Sequence, residues 1–363
     1  MRVEENRALA PFTTLAIGGP ARWFVEAASE EEIVEAVEWA HNRRVDLFVL
    51  GGGSNLLVAD SGFDGLVLHI ALRGIAVSNL PGRPSHRLYS CAAGESWDDF
   101  VQRSVQENCA GVECMAGIPG TVGGTPVQNV GAYGQEVAST VALVRAFDRV
   151  ERNFVEFSAA ECGFSYRRSR FNSTDRGRYV VTRVDCRLEI DGSPTLSYAD
   201  LQRKFAGRSP TVPQPSLTEV AAAVRQIRRS KGMLLVEGDA DCRSAGSFFK
   251  NPIVTEDHVR RIAAATAEEP PRFPAGPGPE NAGKVKLSAA WLIEQAGFAK
   301  GFARGSAAIS SRHTLAIVNR GGASAADVLA LAAEIQFAVD SKFGIRLAKE
   351  PVLLGFGSGP RTH

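Results

Sequence analysis

No apolar run in this sequence approaches membrane-spanning length, and no cysteine pair has the two-residue spacing of a zinc knuckle or a redox dithiol. Insertion by a membrane helix and a thiolate-based metal or redox centre are therefore not expected. The six cysteines, Cys91, Cys109, Cys114, Cys162, Cys186 and Cys242, are scattered and read as buried thiols of a reducing, cytoplasmic compartment. The six histidines never stand at metal-ligand spacing, so no metal is expected. Excess charge is lacking too. Forty-one Lys plus Arg face 40 Asp plus Glu, and a net charge of +1 creates no field to gather nucleic acid or anionic lipid. The first residues, Met1-Arg2-Val3-Glu4-Glu5-Asn6, are acidic where a secretory leader needs an apolar core. Two catalytic signatures are missing as well. Ser247 is followed two residues on by Phe249, so the G-x-S-x-G turn of a nucleophile elbow is not encoded. Gly51-Gly52-Gly53 lacks the third glycine of a dinucleotide fingerprint, because Leu56 occupies that place.

What is present fits a globular chain of two or three domains: 363 residues, 44% hydrophobic and 22% charged. The opening reads β-α-β. Trp23–Ala27 reads as a short strand, Ser29 and Glu32 are spaced as a capping box, Ile33, Val34, Val37 and Ala40 share a helical face, and Val45–Leu50 is a second strand. Strands are expected near Gly65–Ile70 and Tyr179–Leu188, with a helix near Trp97–Glu107. Pro210, Pro213 and Pro215 mark a linker, after which Ser216 and Glu219 open a helix with Leu217, Val220, Val224 and Ile227 on one side. The run 270–279 is too rich in proline and glycine for regular structure and reads as a surface loop. Ser324 caps a last helix with Val328, Leu331, Ala332, Ile335 and Val339 inward, Gly344 ends it, and Ile345–Leu354 is the final strand.

Five segments carry chemistry. The first is Gly51–Asn55 after a strand, where missing side chains let backbone amides approach a phosphate; alone it would read as a tight turn. The second, Gly117–Gly134, holds six glycines with interleaved Thr, Gln and Asn. It buries little apolar surface for its ordering entropy, which points to a ligand that organises it, against an Ω-loop that would explain the glycines alone. Two such segments suggest a large phosphate-containing cofactor. Third, Phe164–Phe171 packs Tyr166, Arg167, Arg168 and Arg170 into one stretch, suited to a carboxylate or phosphate or else a solvated strand. Fourth is Ser247 with Lys250 and Asn251. The fifth is Glu350 beside an apolar run, a tuned acid or a strand-end charge.

In that order these segments resemble the UDP-N-acetylenolpyruvoylglucosamine reductase (MurB) family, over nearly the whole chain from Asn6 to Gly355. The resemblance implies an α+β protein with the bipartite FAD-binding fold of the vanillyl-alcohol-oxidase/PCMH type and a separate α+β substrate-binding domain. The expected units are 1–70, 71–214 joined by the C-terminal strand 345–363, and 215–344. It further implies that FAD is held by Gly51, Gly52, Gly53, Ser54 and Asn55, and by Pro119, Gly120, Thr121, Gly123, Gly124, Gln128, Asn129, Gly131, Ala132 and Tyr133. Arg167, Ser247 and Glu350 correspond to the catalytic set, with Ser247 as proton donor. Tyr166, Tyr198, Lys231, Asn251 and Gln295 correspond to substrate contacts, Tyr198 marking the subclass whose extra loop closes over the UDP-sugar. Lys349 stands where the family often has proline, so Glu350 is aligned by its spacing to Gly355. The implied reaction is NADPH-dependent reduction of UDP-N-acetylglucosamine enolpyruvate to UDP-N-acetylmuramate, by a monomer with no nucleic-acid or membrane partner. A related FAD oxidase would share the glycine segments without Arg167, Ser247 and Glu350, and a non-catalytic nucleotide-binding protein would explain little beyond them.

Overall fold

The structure is a computed structural model that describes residues 1–80, 82–207, 214–266, 268–276 and 281–357. The first unit holds β1 (Glu4–Ala8), β2 (Pro20–Ala27), α1 (Glu30–Arg43), β3 (Leu47–Leu50), β4 (Leu56–Val58) and β5 (Phe63–Ile70). Its sheet runs β1-β2-β5-β3, with β5 parallel to both β2 and β3, as a β-α-β start requires. Ser29 Oγ accepts from Glu32 N, and three glutamates occupy the first turn of α1, where the helix dipole favours them. Ile33, Ala36, Val37 and Ala40 are buried with Leu66 and Leu68 of β5. Among the described residues β3 pairs only with β5, so its outer edge is open there.

The second unit holds β6 (Ile75–Asn79), β7 (His86–Ala92), α2 (Trp97–Gln106), β8 (Cys109–Ala110), the short hairpin β9 (Gly131–Ala132) and β10 (Gln135–Glu136), then β11 (Val141–Asp148), β12 (Asn153–Ser158) and β13 (Tyr179–Ile190). Its sheet runs β12-β11-β13-β7-β6, with β8 joined to the end of β13. Two helices follow, α3 (Ala199–Phe205) and α4 (Leu217–Ser230). The linker prolines Pro210 and Pro213 fall outside the described residues. Ser216 and Glu219 form the expected capping box, and the apolar side of α4 faces back across the expected boundary at 214/215. Leu217, Val220, Ala223 and Val224 lie in the same core as Trp97, Phe100 and Val184, so α4 packs with the second unit.

The third unit holds β14 (Ile253–Thr255), α5 (Glu256–Thr266), β15 (Arg272–Pro274), β16 (Lys284–Leu287), α6 (Ala289–Gln295), β17 (Ala303–Arg304), β18 (Ala307–Ile309), β19 (Ile317–Asn319) and α7 (Ala325–Phe343). Its small sheets run β14-β16-β15 and β17-β18-β19. The run 270–279 is thus not all irregular: Arg272, Phe273 and Pro274 pair with Leu287, Lys286 and Val285. Proline is accommodated because β15 is an edge strand; Pro277–Pro279 fall outside the described residues. α7 is closed by Ser324 with Asp327 at its start and by left-handed Gly344, φ 65°, at its end.

The expected terminal strand shrinks to β20 (Val352–Leu354). It pairs in parallel with β4, Val352 opposite Leu56, so the C-terminal segment joins the first unit and not the second. The first unit also reaches into the third. Leu15 and Ile17 are buried among Phe248, Phe249, Leu292 and Ile335. Asn319 Nδ2 donates to Leu15 O at 3.0 Å, and Thr14 Oγ1 donates to Ser244 O at 2.6 Å. The Asp60 carboxylate accepts from Ala325 N and Ala326 N, at 2.8 and 3.1 Å, at the start of α7.

Candidate active site and cofactor cleft

A cleft of about 710 Å³ runs between the two larger sheets, bordered by β3, the turn 51–55, residues 118–128 and the segment 349–353. Its floor is where two glycine segments touch. A Cβ on Gly52 would fall 2.6 Å from Gly120 Cα, which is backbone and cannot swing aside. Gly120 sits at φ 123°, where side-chain-bearing residues are strained. Beside them, Thr121 Oγ1 is buried with no hydrogen-bond partner among the described residues. An orphaned hydroxyl at a floor made of exposed backbone needs an acceptor or donor from a ligand, and a phosphate oxygen meets that need. The residues present therefore fit a flavin dinucleotide: Gly51–Asn55 and Pro119–Thr121 would hold the diphosphate, with Gly123 and Gly124 further along the cleft.

At one end of the cleft the reactive groups gather. Asn55 Nδ2 donates to Gln128 Oε1 at 2.7 Å and to Glu350 O at 3.3 Å, tying both glycine segments to the C-terminal segment. Arg167 Nε lies 2.8 Å from Glu350 Oε1, and Nη2 donates to Gly131 O at 3.2 Å. Nε itself makes no well-aligned hydrogen bond, so the contact with Glu350 is mainly one of charge. Arg167 has φ 54°, a left-handed backbone that a non-glycine residue adopts at a cost and that aims its side chain here. Burial raises the Glu350 carboxyl above its ordinary range, against the opposing pull of Arg167 and Lys250.

Ser247 belongs to the same end through the backbone. Glu350 N donates to Phe248 O at 2.9 Å, Lys250 N donates to Ala348 O at 2.9 Å, and Phe249 bridges Lys349. Behind the serine, Phe248 and Phe249 meet edge to face, centroids 5.5 Å apart, fully buried in the third unit's core. Gly246 is at φ 71° with open space where a Cβ would be, so the backbone turn demands the glycine. Ala245 is buried in that core, 5% exposed, and so supports the turn from behind.

The remaining candidates divide. Pro119, Gly120, Thr121, Gly123, Gly124 and Gln128 line the cleft, whereas Asn129, Gly131, Ala132 and Tyr133 are not among its lining. Asn129 is spent internally, donating to Glu136 Oε2 and Ser165 O and accepting from Ala138 N. Tyr133 instead meets Tyr198 edge to face at 5.2 Å, under the Lys231 ammonium, 5.8 Å from the ring centre. Lys231 Nζ donates to Asp200 Oδ2 at 2.6 Å. Tyr166 is near Arg167 and carries Lys286 Nζ 4.0 Å above its ring. Asn251 Oδ1 is occupied by Ala289 N at the start of α6, at 2.9 Å. Gln295 stands apart, bonded to Glu268 and to Lys342 on the outside of α6 and α7.

Sequence reasoning missed two groups. Lys286 is a half-buried ammonium whose pKa burial pushes down; in Lys284-Val285-Lys286-Leu287 it shares a strand face with exposed Lys284, so nothing in the sequence marks it. His313 accepts from Leu315 N on Nδ1, and burial with the nearby charges of Lys231 and Lys300 lowers its pKa to about 4, so it stays neutral. Nothing in its spacing singled it out.

Two sheets that face each other across touching glycine turns, extended by an α+β unit, belong to a chain whose first part matches an FAD-binding class of protein. Residues 21–152 match the family model described as FAD binding domain, and residues 238–354 match that described as UDP-N-acetylenolpyruvoylglucosamine reductase, C-terminal domain. The UDP-N-acetylenolpyruvoylglucosamine reductase of Streptomyces coelicolor is 47% identical over 356 residues, 96% of this chain and 89% of that protein. That of Thermobifida fusca is 46% identical over 358 residues, 96% of this chain and 97% of that protein. The crystal structure of the MurB reductase from Thermus caldophilus superposes with a TM-score of 0.66 at 27% identity, covering 98% of this chain and 99% of that one. The chain belongs to the UDP-N-acetylenolpyruvoylglucosamine reductase (MurB) family.

Proposed function

We propose that Arg167, Glu350 and Ser247 carry the chemistry of an FAD-dependent reductase that converts UDP-N-acetylglucosamine enolpyruvate to UDP-N-acetylmuramate for peptidoglycan precursor synthesis, NADPH being the reductant. FAD, held by Gly51–Asn55 and Pro119–Thr121, would supply hydride transfer from NADPH to the β-carbon of the enol ether. What the chain must then do is manage charge and one proton. Negative charge builds on the α-carbon and its carboxylate. Burial raises the Glu350 pKa, and below that raised value the protonated group leaves the Arg167 charge free for that carboxylate and adds a second donor beside it. The Ser247 hydroxyl gives its proton to the α-carbon and is restored from solvent.

The observation that supports this best is the stitching of Glu350 N to Phe248 O at 2.9 Å while the Glu350 carboxyl meets Arg167 at 2.8 Å. One short pairing thus ties the Glu350 backbone to the segment that carries Ser247. Tyr198 and Lys231, which both meet Tyr133, suit the diphosphate of the UDP-sugar, and Tyr166, beside Arg167, carries Lys286 above its ring. Gln295, bonded away from them, is left out of the substrate contacts. The packing fits this reading: α4 shares a core with α2 and β13, residues 15 and 17 join the C-terminal core, and β20 pairs with β4.

Stopped-flow absorbance of the two half-reactions tests the assignment. Ser247→Ala should leave flavin reduction by NADPH intact and slow reoxidation by the enolpyruvyl substrate by about 10²–10⁴-fold, the usual worth of a positioned proton donor. Equal losses in both half-reactions would sink it.

A further inference from the structure

The end of the cleft away from Glu350 holds a cation that the reaction does not use. Arg149 follows β11; its backbone N donates to Arg178 O at 3.0 Å and its Nη1 donates to Gly177 O at 2.6 Å, so the ends of β11 and β13 hold it in place. It has no ion-pair partner among the described residues, and burial pushes its pKa down, with Asp46, just ahead of β3, the opposing charge. Leu47, Phe48, Tyr179 and Val181 line the cleft with it. A guanidinium with spare donors, placed among apolar walls and beside a strand with an open edge, suits a flat heteroaromatic ring. The cation stacks on the ring face, while free backbone N–H and C=O groups meet its hydrogen-bonding edge.

The occupant follows from the order of groups along the cleft. The redox-active ring must lie at the Glu350 end, and the diphosphate belongs at the glycine floor. β3 then runs four residues back from Gly51, roughly 13 Å at ~3.3 Å per residue, which is room for a nucleoside beyond the diphosphate. We propose that Arg149 grips the adenosine half of FAD and makes this cleft select FAD over FMN. The inference rests on FAD occupying the cleft with its ring at the Glu350 end.

Fluorescence titration of the full chain, stripped of flavin, with FAD, FMN and ADP separates the possibilities. In Arg149→Ala the Kd for FAD and for ADP should rise about five- to thirty-fold, the worth of a desolvated cation–π contact, while the Kd for FMN stays put. Arg149→Met keeps the chain length and apolar contact without the charge, and should behave alike even if the alanine variant folds poorly. Unchanged FAD affinity in the methionine variant would overturn the proposal. So would equal weakening of FAD and FMN, which would put the flavin ring at the Arg149 end. A wild-type chain that took up neither FAD nor ADP would overturn the underlying cofactor assignment along with it.

Discussion

Glu350 shows how burial and charge compete at a single side chain. Its carboxyl is 9% exposed, and loss of hydration outweighs the attraction of Arg167 and Lys250, so its pKa moves up. The group is therefore protonated below that raised value and ionises as pH rises through it. Ionisation removes the second donor and neutralises Arg167 at once. The reoxidation half-reaction should accordingly decline on the alkaline side, and Glu350→Gln, which keeps a donor and cannot ionise, should flatten that limb while lowering the plateau. A pH profile of single-turnover reoxidation checks this; an identical limb in the glutamine variant would assign it elsewhere. Arg167 and Ser247 were picked out by their local strings and Glu350 by its spacing to Gly355, and the fold brings Arg167 and Glu350 into contact. Lys286 and His313 were not legible, since a lysine in a strand and a histidine in a loop are marked as site residues only by what folds against them.

Among elements, the glycine turns were the clearest in the sequence, and their reason is steric as well as chemical. Gly52 faces Gly120 backbone, so Gly52→Ala should force the two turns apart at a cost of about 1–3 kcal/mol and strip FAD from the purified protein, read from its visible absorbance per chain. Full flavin content with unchanged thermal stability would refute the close approach. β15 was illegible because Pro274 argues against a strand unless the strand is known to be an edge, and edges are defined only by the finished sheet. The helix caps read well, being local, except for one. Asp60 completes the start of α7 from 265 residues away and no periodicity reveals it. Asp60→Ala should lower stability by about 1 kcal/mol, seen as a drop in Tm, with flavin reduction by NADPH unaffected.

Across the whole molecule, the units interlock rather than follow one another. Leu15 and Ile17 fill the third unit's core, and α4 belongs to the second although proline-rich sequence precedes it. Composition marks where a chain is irregular, not which core the next helix joins, which is why the boundaries were the part of the fold least legible beforehand. Leu15→Ala, a truncation of a fully buried side chain, should cost about 2–5 kcal/mol and should destabilise the third unit together with the first in one thermal transition. Two separated transitions would show that the insertion is not energetically coupled. The pairing of β20 with β4 has a consequence in time. Asn55 reaches Glu350 across 295 residues, so the wall beside the glycine turn is built by a segment that emerges from the ribosome long after the turn itself. Until then β4 lacks its only neighbour strand among the described residues, and the groove has no far side. Flavin capture is consequently a late event in the life of each chain, and a ribosome stalled before codon 349 would present a nascent protein unable to turn yellow.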